Sequence, residues 1–260
     1  MSDYWRSRVM KTNEKLFEKS TEQCEKQLAK YYRRAAIATK NDIEVLFYEI
    51  QKKESQGIIR INDLYRNERY FAVLNNLNRR LVALGEQEIT VDRKYFDNIY
   101  KATGENLDKY LSMVNFAFDN NADAILNSVW CADGKQWSER IWDNKTLLSE
   151  RLQEELVNGV VRGLPRDRIV KNLLNTFNVG FNEANRLQRT EMNYIQNQAC
   201  AERYQKAGIT KYRYLAEIDS RTSEICSKLD GQEFEFSQAK VGVNMPPCHP
   251  NCRSTIIPVI

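Results

Sequence analysis

AERYQKAGITKYRYLAEIDSRTSEICSKLDGQEFEF, residues 201–236, changes its periodicity half-way along. Before Gly208 the apolar positions recur at helical spacing. After it, KYRYLAEID alternates aromatic and polar residues, and GQEFEF does so again behind Asp230 and Gly231. Alternation is the mark of a strand and a three-to-four spacing that of a helix. STIIPVI (254–260) closes the chain with β-branched residues that favour strands. Three short strands are therefore predicted, with a helix over Thr222 to Leu229, and the C-terminal end reads as a small α+β module.

Everything upstream reads as helix. Trp5, Val9, Leu16, Cys24, Leu28, Tyr31 and Ala35 recur along a long amphipathic helix to Ala38, and Asn41 or Asp42 is placed to cap a second segment running to Gly57. A further helix is predicted from Ile61 to Leu84, closed by Gly85, then a short one around Tyr95 and another from Leu107 to Trp130. VWCADGKQWSERIW (129–142) interrupts the pattern at Asp133 and Gly134 and offers three Trp as an anchor between helical layers. Helices then follow from Leu147 to Val161 with a stop at Gly163, over Ile169 to Phe177 with a stop at Gly180, and from Asn182 to Ala207 with a stop at Gly208. The fold class is mainly α: long N-terminal helices and a helical bundle, followed by a small α+β C-terminal module with short strands. The expected division is 1–145 as an N-terminal helical arm and 146–260 as a second domain, its bundle reaching about 210 and its cap spanning 211–260.

A hydrophobic share of 42% with 28% charged residues is that of an ordinary folded domain and argues against disorder. MSDYWRSRVMKTNEKLFEKS carries no apolar core, and no later run reaches the about 18–20 apolar residues of a membrane span, so no membrane partner is expected. Six scattered cysteines without a secretion signal are expected to be free thiols or metal ligands, not disulfides. The formal charge of +4 is too balanced for a dedicated nucleic-acid binder. Residues 1–60 nevertheless hold 13 Lys/Arg against 9 Asp/Glu, and Lys11, Lys15, Lys19, Lys26, Lys30, Arg33 and Arg34 are the candidates for contact with a double-stranded DNA backbone.

The concentrated chemistry lies at the C-terminal end. Cys226 is followed by PPCHPNC, which brings Cys248, the sole histidine His249, and Cys252 within five positions. Thiolate and imidazole are the donors tetrahedral zinc prefers, and a small cap gains most from such a staple. A structural zinc held by Cys226, Cys248, His249 and Cys252 is the expected cofactor, against the plainer alternative of buried thiols in a proline-stiffened loop. Adjacent Cys248 and His249 seldom bind one ion, which leaves Asp219 or water as another fourth ligand. Enzyme readings fit poorly. The deaminase signature needs H-x-E and P-C-x-x-C, whereas here the histidine sits inside the cysteine loop and the spacing is one residue too long. No P-loop glycine pattern is present; a nucleophile pair of His249 with Cys226, Cys248 or Cys252 stays open as the outside alternative of a zinc or cysteine-dependent enzyme, and no catalytic residue is assigned. Arg189, Glu191, Asp219 and Arg221 form a second expected set, a charge network tying bundle to cap through guanidinium forks.

WSERIW (137–142), VVRGLPRDRIVKNL (160–173), RTE (189–191), IDSRTSEICSKLDG (218–231) and PPCHPNCRSTIIP (246–258), with the opening DYWRSR, together resemble the phage Mu F-like minor head proteins, the phage head morphogenesis family. The resemblance implies a low-copy component of the virion, inside the head, reached from the host cytoplasm during assembly. Its implied partners are the portal protein and the scaffolding or major capsid protein, its implied work head assembly and DNA delivery, and it implies no enzymatic activity. Some relatives carry fused toxin domains; the chain ends at Ile260 directly after the motif, and no fusion is expected. The family pattern falls on Arg189, Glu191, Asp219, Arg221, Cys226, Leu229, Gly231, His249, Cys252 and Arg253. Where many relatives read Cys-Arg-Cys, this chain reads Cys252, Arg253, Ser254, a departure that removes one ligand and that Cys248 is placed to make good. Exposed aromatics such as Tyr4 and Trp5 on the helical arm are the expected contacts with portal or scaffold.

Overall fold

A computed structural model describes residues 11–53, 61–111 and 122–260; Tyr4, Trp5 and the stretch 112–121 lie outside them. Seven α-helices among these residues precede or interrupt a small sheet: α1 Lys11–Lys53, α2 Ile61–Tyr65, α3 Glu68–Tyr110, α4 Asp123–Leu126, α5 Trp137–Val161, α6 Arg166–Lys206 and α7 Glu224–Leu229. The strands are β1 Lys211–Leu215, β2 Glu233–Glu235 and β3 Thr255–Val259, in the antiparallel order β2-β1-β3. The predicted mainly α fold with its three C-terminal strands is what forms.

The helices are longer than their local signals imply. No break occurs at Asn41 or Asp42, because the Asp42 carboxylate bonds Arg80 at 2.7 Å and accepts from Asn76 at 3.1 Å instead of capping its own helix. Neither Gly85 nor Gly180 ends a helix; α3 and α6 run straight through them. Both are sites of close approach: a Cβ at Gly85 would stand 2.6 Å from the Trp142 ring, and one at Gly180 would stand 2.8 Å from a Leu148 methyl. Gly163 and Gly208 are true stops. Gly208 has φ +78, with Ile209 N–H donating to Tyr204 O at 3.0 Å and Gly208 N–H to Gln205 O at 2.9 Å, the paired bonds of a Schellman cap.

The chain forms two compact units, each assembled from distant stretches: the cap unit from residues up to Glu25, Asp92–Trp137 and Arg186–Ile260, the bundle unit from Lys26–Val91 and Ser138–Asn185. The expected boundary at 145/146 falls inside α5. In the bundle unit, α1, α3, α5 and α6 share one core, with Ile43, Leu46, Leu77, Leu81, Leu152, Leu156, Leu173 and Phe177 all buried. Each such side chain contributes about 1.5–3 kcal/mol by leaving water. Phe17, Ile43 and Phe47 are buried positions of α1, so this helix contributes to packing.

Inside the bundle core lies one charged group of three. Lys145 Nζ stands 2.6 Å from Glu88 Oε2 and also donates to Tyr32 Oη, while Tyr32 donates to the same carboxylate oxygen at 2.9 Å. A close glycine contact sits nearby in sequence: a Cβ at Gly159 would meet Ile169 Cγ1 at 2.6 Å. Ile169 is buried and stiff at χ1, so it yields little. Gly159→Ala is expected to lower stability by about 1–2 kcal/mol, overpacking of about 1–3 kcal/mol outweighing the helix propensity gained. A urea midpoint that does not move would refute this packing account.

The cap unit places β1 between its neighbours. Tyr212 pairs with Phe234 on one side and Pro258 on the other, and its ring sits 4.9 Å from that of Phe236. Leu107, Cys200, Tyr204, Leu215, Met245 and Ile256 complete the apolar core against which the sheet rests. Period-two alternation puts Tyr212 and Tyr214 on one face, and both are fully buried.

A candidate metal centre in the cap

Two short segments deliver the site, and a long helix holds one of them in place. Helix α7 begins at the N-cap Ser223, whose Oγ accepts from Cys226 N–H at 3.2 Å and so sets the orientation of Cys226. The loop from Met245 to Ser254 carries Cys248, His249 and Cys252, and turns back on itself through a Cys252 N–H to His249 O bond at 3.2 Å. Asn251 takes a left-handed φ of 59°, a conformation asparagine tolerates. Helix α6 grips this loop from below: Asn251 N–H donates to Thr190 Oγ1 at 3.0 Å, and the Asn193 and Asn197 amides donate to Ser254 O at 3.0 and 3.2 Å.

The ligand atoms of Cys226, His249 and Cys252 lie within 4.8 Å of one another. Cys226 Sγ is 3.2 Å from His249 Nε2 and 3.7 Å from Cys252 Sγ. Metal–ligand bonds of about 2.0–2.3 Å give tetrahedral edges of roughly 3.3–3.8 Å, so this spacing suits zinc. The His249 Nδ1 atom lies 2.8 Å from Pro250 O. Donation to that carbonyl leaves the Nε2 lone pair facing the sulfurs, the usual way an outer hydrogen bond selects the ligating nitrogen. Cys248 stands apart from the close set; its half-buried thiol lies against the Tyr214 hydroxyl at 3.5 Å and Met245 O at 3.7 Å.

The electrostatics favour a thiolate. A hydrogen bond from Cys252, joined by the hydroxyls of Ser223, Ser254 and Tyr214, holds the Cys226 thiol well below the ordinary cysteine range. Cys252, which donates that bond and is buried, is pushed up correspondingly. Burial also raises Cys248 and Tyr214. Two sulfurs and an imidazole nitrogen form the soft donor set that zinc takes over magnesium or calcium.

The expected charge network is rearranged. Asp219 is clamped by Arg253, at 2.9 and 2.6 Å, and Arg253 also reaches Glu217 at 2.6 Å. That guanidinium holds the Asp219 carboxyl below its usual range. Arg221 contributes its backbone N–H to Asp219 at 2.8 Å, while its side chain is largely exposed. Arg189 bonds Thr21 at 3.1 Å and lies over the Phe17 ring. Glu191 accepts from Trp130 Nε1 at 2.9 Å, and Trp130 stacks on Tyr194 at 4.9 Å. The four predicted residues therefore divide between two tasks: Arg189 and Glu191 fasten α6 to α1 and to the Trp130 loop, and Asp219 secures the start of β3 through Arg253. Thr190, Tyr214 and Glu217 were not singled out from the sequence. Tyr214 was legible there through its place two residues from Tyr212 in a strand. The seven basic candidates for DNA contact are all exposed on α1.

The fold is mainly helical with a three-stranded C-terminal sheet, and its concentrated chemistry is a thiol–imidazole cluster with the spacing of a metal site. Residues 150–257, from within α5 into β3, match the family model described as Phage Mu protein F like protein. It is similar to an uncharacterized protein of Haemophilus influenzae, 31% identical over 114 residues, covering 43% of this chain and 25% of that protein. It is also similar to the NAD(+)–arginine ADP-ribosyltransferase EFV of Enterococcus faecalis, 27% identical over 123 residues, covering 45% of this chain and 25% of that protein. Each match spans about a quarter of the relative's length. No solved structure matches. Among the described residues, no helix is long and apolar enough to cross a membrane.

Proposed function

We propose that this chain is a minor head protein of a tailed phage, incorporated inside the procapsid beside the portal and acting in head assembly and DNA delivery. The observation that carries the reading is the phage Mu F-like match over 150–257, which takes in the second half of α5, all of α6 and the chain onward into β3. The portal protein and the scaffolding or major capsid protein are its partners, the host cytoplasm is where it is recruited, and the virion is where it remains. The thiol–imidazole cluster serves this role as a structural zinc site: Cys226, His249 and Cys252 hold the ion, with Cys248 beside them, and the ion bridges α7 to the loop that leads into β3. It takes no part in bond breaking.

Deleting residues 1–60 is a poor test, because α1 lies in the cores of both units. The informative measurement uses the full chain in infected cells. It is expected to co-sediment with portal-containing procapsids, and replacing the exposed aromatics Tyr48 and Phe71 by Ala is expected to lower its incorporation with the melting curve unchanged. A chain absent from procapsids would remove the assignment.

A second reading is favoured by α1. At about 100° per residue, Lys11, Lys15 and Lys19 of the cap unit fall within an arc of roughly 80°, with Glu22 among them, and Lys26, Lys30, Arg33 and Arg34 of the bundle unit within one of roughly 100°. Such stripes track a phosphate backbone as a non-specific DNA contact made while the genome is packaged or delivered. Binding of random-sequence duplex should weaken steeply with salt, and each productive Lys→Glu change at Lys15, Lys19 or Lys30 should flatten the log–log slope by about 0.9. Absence of binding at low salt would discard this reading and leave the first intact.

A further inference from the structure

The thiols of Cys226, Cys248 and Cys252 share a neighbour that is neither cysteine nor histidine. The Tyr214 hydroxyl lies 3.2 Å from Cys226 Sγ, 3.5 Å from Cys248 Sγ and 4.0 Å from Cys252 Sγ. The residue is closed off from solvent, so water does not compete for that hydroxyl. Ser223 and Ser254 also serve Cys226, but Tyr214 is the group that reaches all three thiols.

Resting on the zinc reading above, we propose that Tyr214 is the positioning residue of the metal centre: its O–H donates into the thiolates, orienting them and offsetting their charge. Two thiolates and a neutral imidazole around a divalent cation leave no net charge. A third thiolate, from Cys248, makes the assembly anionic inside an apolar cap. Buried negative charge has to be met by donors, and outer-shell donors to ligating groups tune both affinity and electron donation.

The placement suits the task. Tyr214 stands on β1, the central strand, where its N–H donates to Gln232 O at 2.8 Å, its O accepts from Gly231 N–H at 2.9 Å, and Ile256 pairs with it on the other side. A phenol on a strand bonded along both edges has little freedom, so the hydroxyl is aimed before the ion binds. The ligands arrive from the opposite direction, on α7 and the Met245–Ser254 loop, and the ring packs with Ala216, Cys226 and Cys252. The oxygen is therefore fixed, and the sulfurs settle around it.

The test uses the full-length protein and Tyr214→Phe, which keeps the ring and removes one oxygen. Zinc affinity, measured by competition with a chelator, is expected to fall about 10–100-fold. In cobalt-loaded protein the thiolate-to-metal charge-transfer band is expected to move to lower energy, since thiolate lone pairs that lose a donor are easier to oxidise. Tyr212→Phe is the matched control: that hydroxyl bonds Asn244 at 3.3 Å, outside the cluster, and its band should stay where the parent's is. A Tyr214→Phe protein with parental affinity and an unmoved band overturns the proposal while leaving the zinc reading in place. A parent that takes up neither ion removes the zinc reading itself. Should Tyr214→Phe not fold, the parent loaded with an NMR-active cadmium isotope decides. A slowly exchanging Tyr214 hydroxyl proton with scalar coupling to cadmium supports the bond, and a rapidly exchanging, uncoupled one overturns it.

Discussion

Lys145→Met is expected to destabilise the bundle unit by about 3–5 kcal/mol, the cost of breaking a buried ion pair from one side. Glu88 is fully buried and Lys145 only 4% exposed, so neither charge has water to fall back on. The Glu88 Oε2 atom is held by Lys145 and Tyr32, while Oε1 has no hydrogen-bond partner among the described residues. Removing the ammonium leaves a carboxylate with one hydroxyl for company, and it must either stay charged at high cost or take up a proton. The paired substitution Lys145→Met/Glu88→Leu removes both charges, and is expected to return stability to within about 1 kcal/mol of the parent. Urea unfolding of the parent, both single variants and the double variant reads the coupling directly. Single variants that cost less than the double would show that the group contributes nothing beyond its volume.

His249→Ala is expected to strip zinc from the purified protein and to lower its melting temperature by roughly 5–10 °C, the shift that follows when an ion present at a hundredfold excess over its Kd no longer binds. Cys226→Ser should behave alike, since Cys226 stands 3.2 Å from His249 and 3.7 Å from Cys252. Elemental analysis and a melting curve, with and without chelator, are sufficient. A chelator should reproduce the effect in the parent and do nothing to either variant. If His249→Ala melted with the parent and the parent held no ion, the cluster would be a set of buried thiols, and the cap would owe its order to packing around Tyr212 and to the grip of α6 on Ser254.

Gly163 and Gly208 were recognised as helix ends because each follows a run of periodic apolar residues, and the left-handed φ they adopt is one that glycine reaches without strain. Gly85 and Gly180 carry the same signal in the sequence, yet lie inside helices because Trp142 and Leu148 come too close for a side chain. Both uses exploit the missing Cβ. Which one applies depends on what stands across the interface, so three predicted segments merged into α3 and two into α6. Cys226, His249 and Cys252 were legible as a cluster because thiol and imidazole side chains are few and chemically distinctive. That Arg253 joins Arg221 on Asp219 was not, since the two arginines are 32 residues apart and meet the carboxylate only once the strand is in place.

The sequence by itself determined the helical and strand segments, the three-stranded end of the chain, the two glycine stops and the thiol–imidazole chemistry. These depend on periodicity, φ preference and donor type, which are properties of a residue and its immediate neighbours. Tertiary structure alone decided the lengths of α1, α3 and α6, the assembly of both units from distant stretches, the buried Lys145–Glu88–Tyr32 group and the aim of Tyr214 at three sulfurs. Such contacts join positions tens to more than a hundred residues apart. Their energies exist only once the intervening chain has been brought together, and no local pattern encodes them.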